Sequence, residues 1–216
     1  MKAIISFVML MLFVVITANA QPKSGLYLSV NPLAVLEPQS ALGAGVGYRF
    51  NDYLEISTEY ATLGSSKMFD AYRFNGVTGF RSVTQLKYTI GMNEDKYSKT
   101  FVGAEARYKT YTYTDVASFT NKQSGSVTKD CAYKNTTSIK GFAGIIGKQF
   151  DLGYLSNWSL EFSAGVGVRF TDIQRNGTPE NSNIVPKDIG FGEIPNYVDH
   201  YTALYFPIAV RVMVRL

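Results

Sequence analysis

The chain has 216 residues, a formal net charge of +4, a pI near 9.0, one histidine and one cysteine. That length bounds it to one domain or at most two, and the lone Cys131 excludes an internal disulfide framework. No basic cluster stands out to mark a nucleic-acid partner, and 15 tyrosines, 14 phenylalanines and 19 glycines spread through alternating apolar segments give the chain an all-β character.

The first element is not structural. Met1-Lys2, an apolar run from Ile4 to Ile16 and the A-x-A end Ala18-Asn19-Ala20 predict a secretory signal peptide over residues 1–20. The run is shorter than the roughly 20 residues of a membrane-spanning helix. An exported chain from Gln21 loses only the charge of Lys2 and keeps +3. Residues 21–216 are then one folded unit, expected to meet no nucleic acid.

Alternation of apolar and polar residues predicts eight strands. They run Gly25–Val35, Ala41–Phe50, Tyr53–Leu63, Phe80–Met92, Thr100–Tyr113, Ser138–Phe150, Trp158–Phe170 and Leu204–Leu216. In the last, Leu204, Phe206, Ile208, Val210, Val212, Val214 and Leu216 share a face. The parity of "SIKGFAGIIGKQF" stays ambiguous. "AGVGYRF" and "AGVGVRF" nearly repeat, each with glycines and an arginine on one face. Asn51-Asp52, "NEDKYSK" and "DLGYLSN" are short connections, whereas 64–79, 114–137 and 171–203 are long. Short turns at one end and long loops at the other form the asymmetry of a transmembrane β-barrel.

Periodicity alone leaves a soluble ligand-binding barrel open, because it alternates in the same way with its faces reversed. Three features favour the apolar face outward. Glu55, Glu59, Glu105 and Glu161 share the polar face with Arg49, Lys87, Arg107, Lys109, Arg169, Arg211 and Arg215. That face also carries Gly43, Gly45, Gly47, Gly103, Gly165 and Gly167, which a crowded lumen needs and a solvated surface does not. Tyr48, Phe50, Tyr60, Phe150, Trp158 and Phe170 lie near strand ends on or beside the apolar face, as interfacial girdles do. The fold expected is an eight-stranded antiparallel up-and-down transmembrane β-barrel with short periplasmic turns.

With its signal peptide, alternating loops and terminal strand, the chain resembles the small outer-membrane β-barrel proteins of the OmpA/OmpX-like type. "SVNPLAVLEPQSALGAGVGYRFNDYLEISTEY" is similar to barrels of the Bacteroidota. Such barrels usually end in an aromatic residue; this chain ends in Leu216, which keeps the outward apolar parity. The resemblance implies a Gram-negative outer membrane with a porin-like fold. Outer-membrane lipid, lipopolysaccharide and the barrel assembly machinery are then the surroundings of a monomer. Loops 64–79, 114–137 and 171–203 are where an extracellular protein partner would bind.

No catalytic, cofactor or metal residues are assigned. His200 in "DHYTA" resembles the H-x-S arrangement of lipid A deacylases, with Thr202 in place of serine and Glu193 and Asp199 as nearby acids. A nucleophile needs its base within hydrogen-bond reach. Against this, His200 reads as a polar residue where a loop rejoins its strand. Lumen charges read either as a paired plug or as a narrow ion path. "KTYTYTDVASFT" reads as the fifth strand protruding beyond the membrane, with tyrosines suited to recognition or to a girdle. The functional expectation is a non-enzymatic barrel for envelope integrity or surface interaction. The alternatives are a lipid-modifying enzyme with His200 as base, a narrow channel and a soluble ligand-binding barrel.

Overall fold

A computed structural model of the protein describes residues 25–36, 41–64, 75–92, 98–152, 157–185 and 199–216. The expected signal peptide, residues 65–74 of the loop expected at 64–79, and residues 186–198 of that expected at 171–203, with Glu193 among them, lie outside the described residues.

Among the described residues ten strands form one antiparallel sheet. They are β1 (Gly25–Asn31), β2 (Ala41–Arg49), β3 (Leu54–Gly64), β4 (Asn75–Met92), β5 (Ser98–Asn121), β6 (Val127–Asp151), β7 (Trp158–Asn176), β8 (Ser182–Ile184), β9 (His200–Tyr205) and β10 (Ile208–Arg215). Successive strands from β1 to β7 pair with one another, and β10 pairs with both β7 and β1, so the sheet closes into a ring. β9 and β10 occupy one position, both against β7, and Phe206-Pro207 separates them. Proline has no N–H for the ladder, so the strand breaks there, while the Pro207 carbonyl still accepts from Gly165 N–H at 2.9 Å. The ring therefore has the eight positions read from the alternation. Closure leaves none of its strands as a free edge along the shared height.

The tight turn after β2 follows from Asn51, whose Oδ1 accepts from the N–H groups of Tyr53 and Leu54 at 2.9 and 2.8 Å. Such a side-chain turn is what asparagine supplies. After β1 the chain leaves the sheet in a 3₁₀ turn, Pro32–Leu36, so the first strand stops short of its expected end at Val35.

The expected loop at 114–137 is overturned, whereas "KTYTYTDVASFT" does continue the fifth strand. β5 runs for 24 residues and β6 for 25, and the connection shrinks to residues 122–126. Alternating threonine and tyrosine have strong strand preference, and the hairpin carries its own apolar cluster of Ala117, Phe119 and Tyr133, with Cys131 and Ile184 against it. β8, from within the expected loop 171–203, adds to the tip of β5 through Phe119↔Ile184. Residues 171–176 and 200–203 of that same expected loop are strand as well.

Candidate functional site

Parity decides which side chains face inward. On β7, Ser159, Glu161 and Ser163 are buried while Phe162, Val166, Val168 and Phe170 are exposed. β6 resolves its ambiguous parity: Ile145, Gly147 and Gln149 point in, and Lys140, Phe142, Ile146 and Lys148 point out.

Inside, the predicted charges meet. Glu55 receives Lys87 Nζ at 3.3 Å, Arg49 Nη2 at 3.1 Å, Lys99 Nζ at 3.4 Å and the Tyr27 hydroxyl at 2.7 Å. Lys87 Nζ also reaches Glu161 at 2.6 Å, three strands away round the ring. Glu161 has no exposed surface and pairs with Arg211 Nη1 at 3.0 Å. Arg211 Nε reaches Glu59 at 3.3 Å, again three strands away, and Glu59 takes Arg81 and Asn31 as further donors. Nearer the long-loop end, Glu105 accepts from Gln85 at 2.7 Å and Tyr205 at 2.6 Å, and Arg107 lies 4.8 Å from the Tyr205 ring centre. A chain of alternating charges thus crosses from wall to wall. Each buried carboxylate in it has at least two donors, the condition for tolerating a buried charge.

Sequence reasoning missed Arg81 and Lys99 among the bases, Asp151 among the acids, and Tyr27. Arg81 shares parity with Gln85 and Lys87 inside a predicted strand, so its place was readable. Lys99 stands one residue before the predicted start of its strand. Tyr27 faces inward although aromatics were expected outside; the signal is its cross-strand partner Gly47, where an added Cβ would lie 2.1 Å from the Tyr27 ring. Gly43 likewise makes room for Glu59, whose Oε1 lies 2.6 Å from where a Cβ would stand. The glycines thus accommodate an aromatic ring as well as charges. The excess of bases noted in the sequence has partial partners: Arg215 lies 3.4 Å from Asp151, and Lys109 Nζ lies 5.5 Å from the Tyr111 ring centre. Arg169 has no carboxylate partner among the described residues, and its Nε is buried without a hydrogen bond.

Outside, large apolar side chains stand exposed from Leu26 through Phe142, Val166 and Leu204 to Ile208. At the short-turn end Tyr53 stacks with Tyr88 at 6.1 Å and Tyr48 meets Phe50 edge-on at 5.0 Å. Nearer the long-loop end Tyr60, Phe80 and Tyr108 follow one another at 5.6 and 5.7 Å. From Leu160 to Phe170 this face runs about 33 Å at ~3.3 Å per residue, or about 25 Å of height at a tilt of ~40°.

One row above Phe170 the outer face turns polar. Thr110, Ser138, Asp172 and His200 are consecutive cross-strand partners. His200 Nδ1 lies 3.3 Å from Asp172 Oδ1, and both side chains are at least half exposed. The acid beside His200 is therefore Asp172 on the neighbouring strand. Asp199 pairs instead with Arg175. No hydrogen bond joins His200 to Thr202 among the described residues. A depression of about 590 Å³ opens here, lined by Tyr108, Lys140, Phe170, Ser138 and Thr202 together with the Asp172–His200 pair.

In the projecting hairpin the Tyr133 hydroxyl donates to Asp115 at 3.0 Å. Burial pushes that phenol above its ordinary value. Cys131 is a half-buried free thiol beside this ring. Among the described residues no group of three His, Cys, Asp or Glu side chains is placed to hold a metal ion.

The fold and interior define a closed antiparallel ring with a salt-bridged core. The chain belongs to the family DUF3575, described as a protein of unknown function, whose model matches residues 7–186 and leaves β9 and β10 outside the match. No curated protein and no solved structure matches the chain.

Proposed function

We propose that the protein is a non-enzymatic β-barrel of a Gram-negative outer membrane, of OmpA/OmpX-like architecture. Its salt-bridged lumen serves as a plug, and its projecting strands serve envelope integrity or surface contact. One observation carries the reading: a closed ring whose buried side chains are charged and whose exposed ones are large and apolar over a band about 25 Å tall. A monomer in water rarely exposes apolar patches beyond a few hundred Å². In lipid the same face is the favourable one, and ring closure satisfies the backbone. The wall-to-wall ion pairs favour a plug over a conducting path, since an eight-stranded interior is just filled by side chains.

Surface contact falls to the β5–β6 hairpin, which rises well beyond the apolar band and is stiffened by its own small core. Lipid, lipopolysaccharide and the assembly machinery are the partners this reading implies, with any extracellular protein docking at that end. The test is electrophoretic. The full chain expressed in a Gram-negative host is expected in the outer-membrane fraction, migrating differently before and after boiling in SDS. A chain that stays soluble without detergent and shows no shift would return the soluble ligand-binding barrel, with its faces reversed. Single-channel steps in planar bilayers would replace the plug by a channel. An altered lipid A acyl profile that His200→Ala abolishes would make the protein an enzyme.

A further inference from the structure

The depression on the outer wall lies where two environments meet. Its lower rim is the row Tyr108, Lys140, Phe170 and Thr202, each the cross-strand neighbour of the next on the outward face or one register step away. Its upper rim is the polar row Ser138, Asp172 and His200. Below it the face is apolar, with Phe142, Val168 and Leu204 exposed. Between those side chains Ala106 and Ala104 stand outward on β5, and Gly144 stands outward on β6. A Cβ on Gly144 would meet nothing within 4 Å, so a shallow trough leads down from the depression.

Lys140 is the notable charge. It is exposed, it sits level with the aromatic row, and no carboxylate among the described residues pairs with it. Asp172 is engaged instead with His200 on the water side of the depression. The other outward lysine of β6, Lys148, has a different setting: its Nζ lies 5.2 Å from the Phe150 ring centre near the short-turn end. Along β6 the two lysines are about 26 Å apart at ~3.3 Å per residue, or about 20 Å in height at a tilt of ~40°. Each therefore stands close to one margin of the apolar band, where a lysine can extend its head to the interface.

Resting on the membrane reading above, we infer that this depression binds the phosphorylated sugar head of a glycolipid. The lipid phosphate sits on Lys140, sugar hydroxyls face Ser138, Thr202 and the Asp172 carboxylate, and an acyl chain lies in the trough past Ala106 and Gly144. Charge complementarity selects the phosphate, because an unpaired ammonium at the margin of a low-dielectric layer attracts an anion strongly. The polar rim selects a sugar over a bare diester, since it offers a carboxylate and hydroxyls that a phosphate alone leaves unused. The volume of about 590 Å³ falls in the ~300–1,000 Å³ range of small-ligand sites.

The test uses the full-length chain extracted from host outer membranes in mild detergent. Lipid A, enzymatically dephosphorylated lipid A and phosphatidylglycerol are titrated in separately, and bound lipid is counted by native mass spectrometry. Wild type is expected to retain one lipid A per chain, and Lys140→Glu to weaken it roughly tenfold or more. Lys148→Glu is expected to leave binding unchanged, and dephosphorylated lipid A to bind about as weakly to wild type as lipid A does to Lys140→Gln. If Lys140→Glu does not fold, Lys140→Gln removes the charge without reversing it and is expected to show a smaller loss in the same direction. Equal retention by Lys140→Glu or Lys140→Gln and wild type overturns the site, as does a wild type that retains no lipid A. Phosphatidylglycerol bound as tightly as lipid A overturns the sugar. The boiled and unboiled bands of each variant are read alongside. A retained mobility shift with lost selectivity fails this inference alone, whereas no shift in wild type fails the membrane reading beneath it.

Discussion

Along β5, Glu105 and Lys109 are buried in the ring while Val102, Ala104, Ala106 and Tyr108 are exposed outside. Further along the same strand, with the same parity, Ala117 and Phe119 are buried and Thr114 is exposed. β6 does likewise: Phe142 and Ile146 face out in the ring, and Tyr133 faces in near the tip. The backbone and the pairing continue across the change, so on the proposed membrane reading the difference lies in what surrounds each stretch. Where the inner face is apolar and the outer face polar, the strand is built for water. Where the faces are exchanged, the proposed membrane reading puts lipid outside. The exchange falls close to the Thr110–Ser138–Asp172–His200 row, just above the aromatic girdle.

The largest way to break this contrast is to remove a charge from the ring. Glu161→Ala leaves Lys87 without its 2.6 Å partner and takes one of two carboxylates from Arg211. Breaking a buried pair costs about 3–5 kcal/mol. The urea midpoint of the heat-modifiable band is expected to fall accordingly. A loss below about 1 kcal/mol would mean that water enters the lumen and screens the network.

A cation placed on the outer face sharpens the contrast next. Val166→Arg sits near the middle of the apolar band and is expected to cost about 2–4 kcal/mol in a bilayer. Thr114→Arg, on the outer face of the projecting hairpin, is expected to change stability by no more than about 0.5 kcal/mol. Urea titration in lipid vesicles compares the two. Equal costs would place one solvent around both regions and sink the lipid assignment.

The small core of the hairpin gives the third test. Phe119→Ala removes a nearly inaccessible ring that meets Tyr133 edge-on at 5.5 Å. Truncating a buried Phe costs about 3–5 kcal/mol in a full core; about 2–3 kcal/mol is expected from one this small. The effect should stay local, raising hydrogen exchange at the tip of β5 and β6 while the SDS shift of the ring persists.

How much of this was legible follows from the same contrast. The eight ring positions and their inward face were readable because an outward apolar row alternates with an inward row of charged, small and glycine residues from Leu160 to Phe170. An outward apolar row also runs through Leu204–Leu216 despite the break at Phe206-Pro207. The continuation of β5 past Tyr113 was legible in "KTYTYTDVASFT", where the alternation goes on; the early start of β6 was not. Before Ser138 on β6 the two parities exchange character, and a pattern tuned to one kind of alternation reads there as loop. The lumen charges were readable one by one, but not who pairs with whom. Lys87 meets Glu161 only because ring closure and strand stagger bring β4 near β7, which no local spacing records. The Asp172–His200 pair was hidden for a similar reason: its acid lies on a neighbouring strand rather than beside His200 in the chain.

The smallest effect separates inside from outside at a single atom. At Gly47 an added Cβ would stand 2.1 Å from the Tyr27 ring, which is held by the 2.7 Å hydrogen bond from its hydroxyl to Glu55. Gly47→Ala must therefore push the ring aside or bend the strand, an overpacking cost of about 1–3 kcal/mol. Gly144→Ala, on the outer wall, meets no atom within 4 Å and is expected to be neutral or slightly stabilising, because alanine has less backbone freedom to lose on folding. The pair is read by urea midpoints in one detergent. If Gly47→Ala proves harmless while Tyr27→Phe is costly, the hydroxyl bond to Glu55 matters and the ring has room to move. If both are harmless, Tyr27 is not packed into the lumen, and glycine on the inner face needs another explanation.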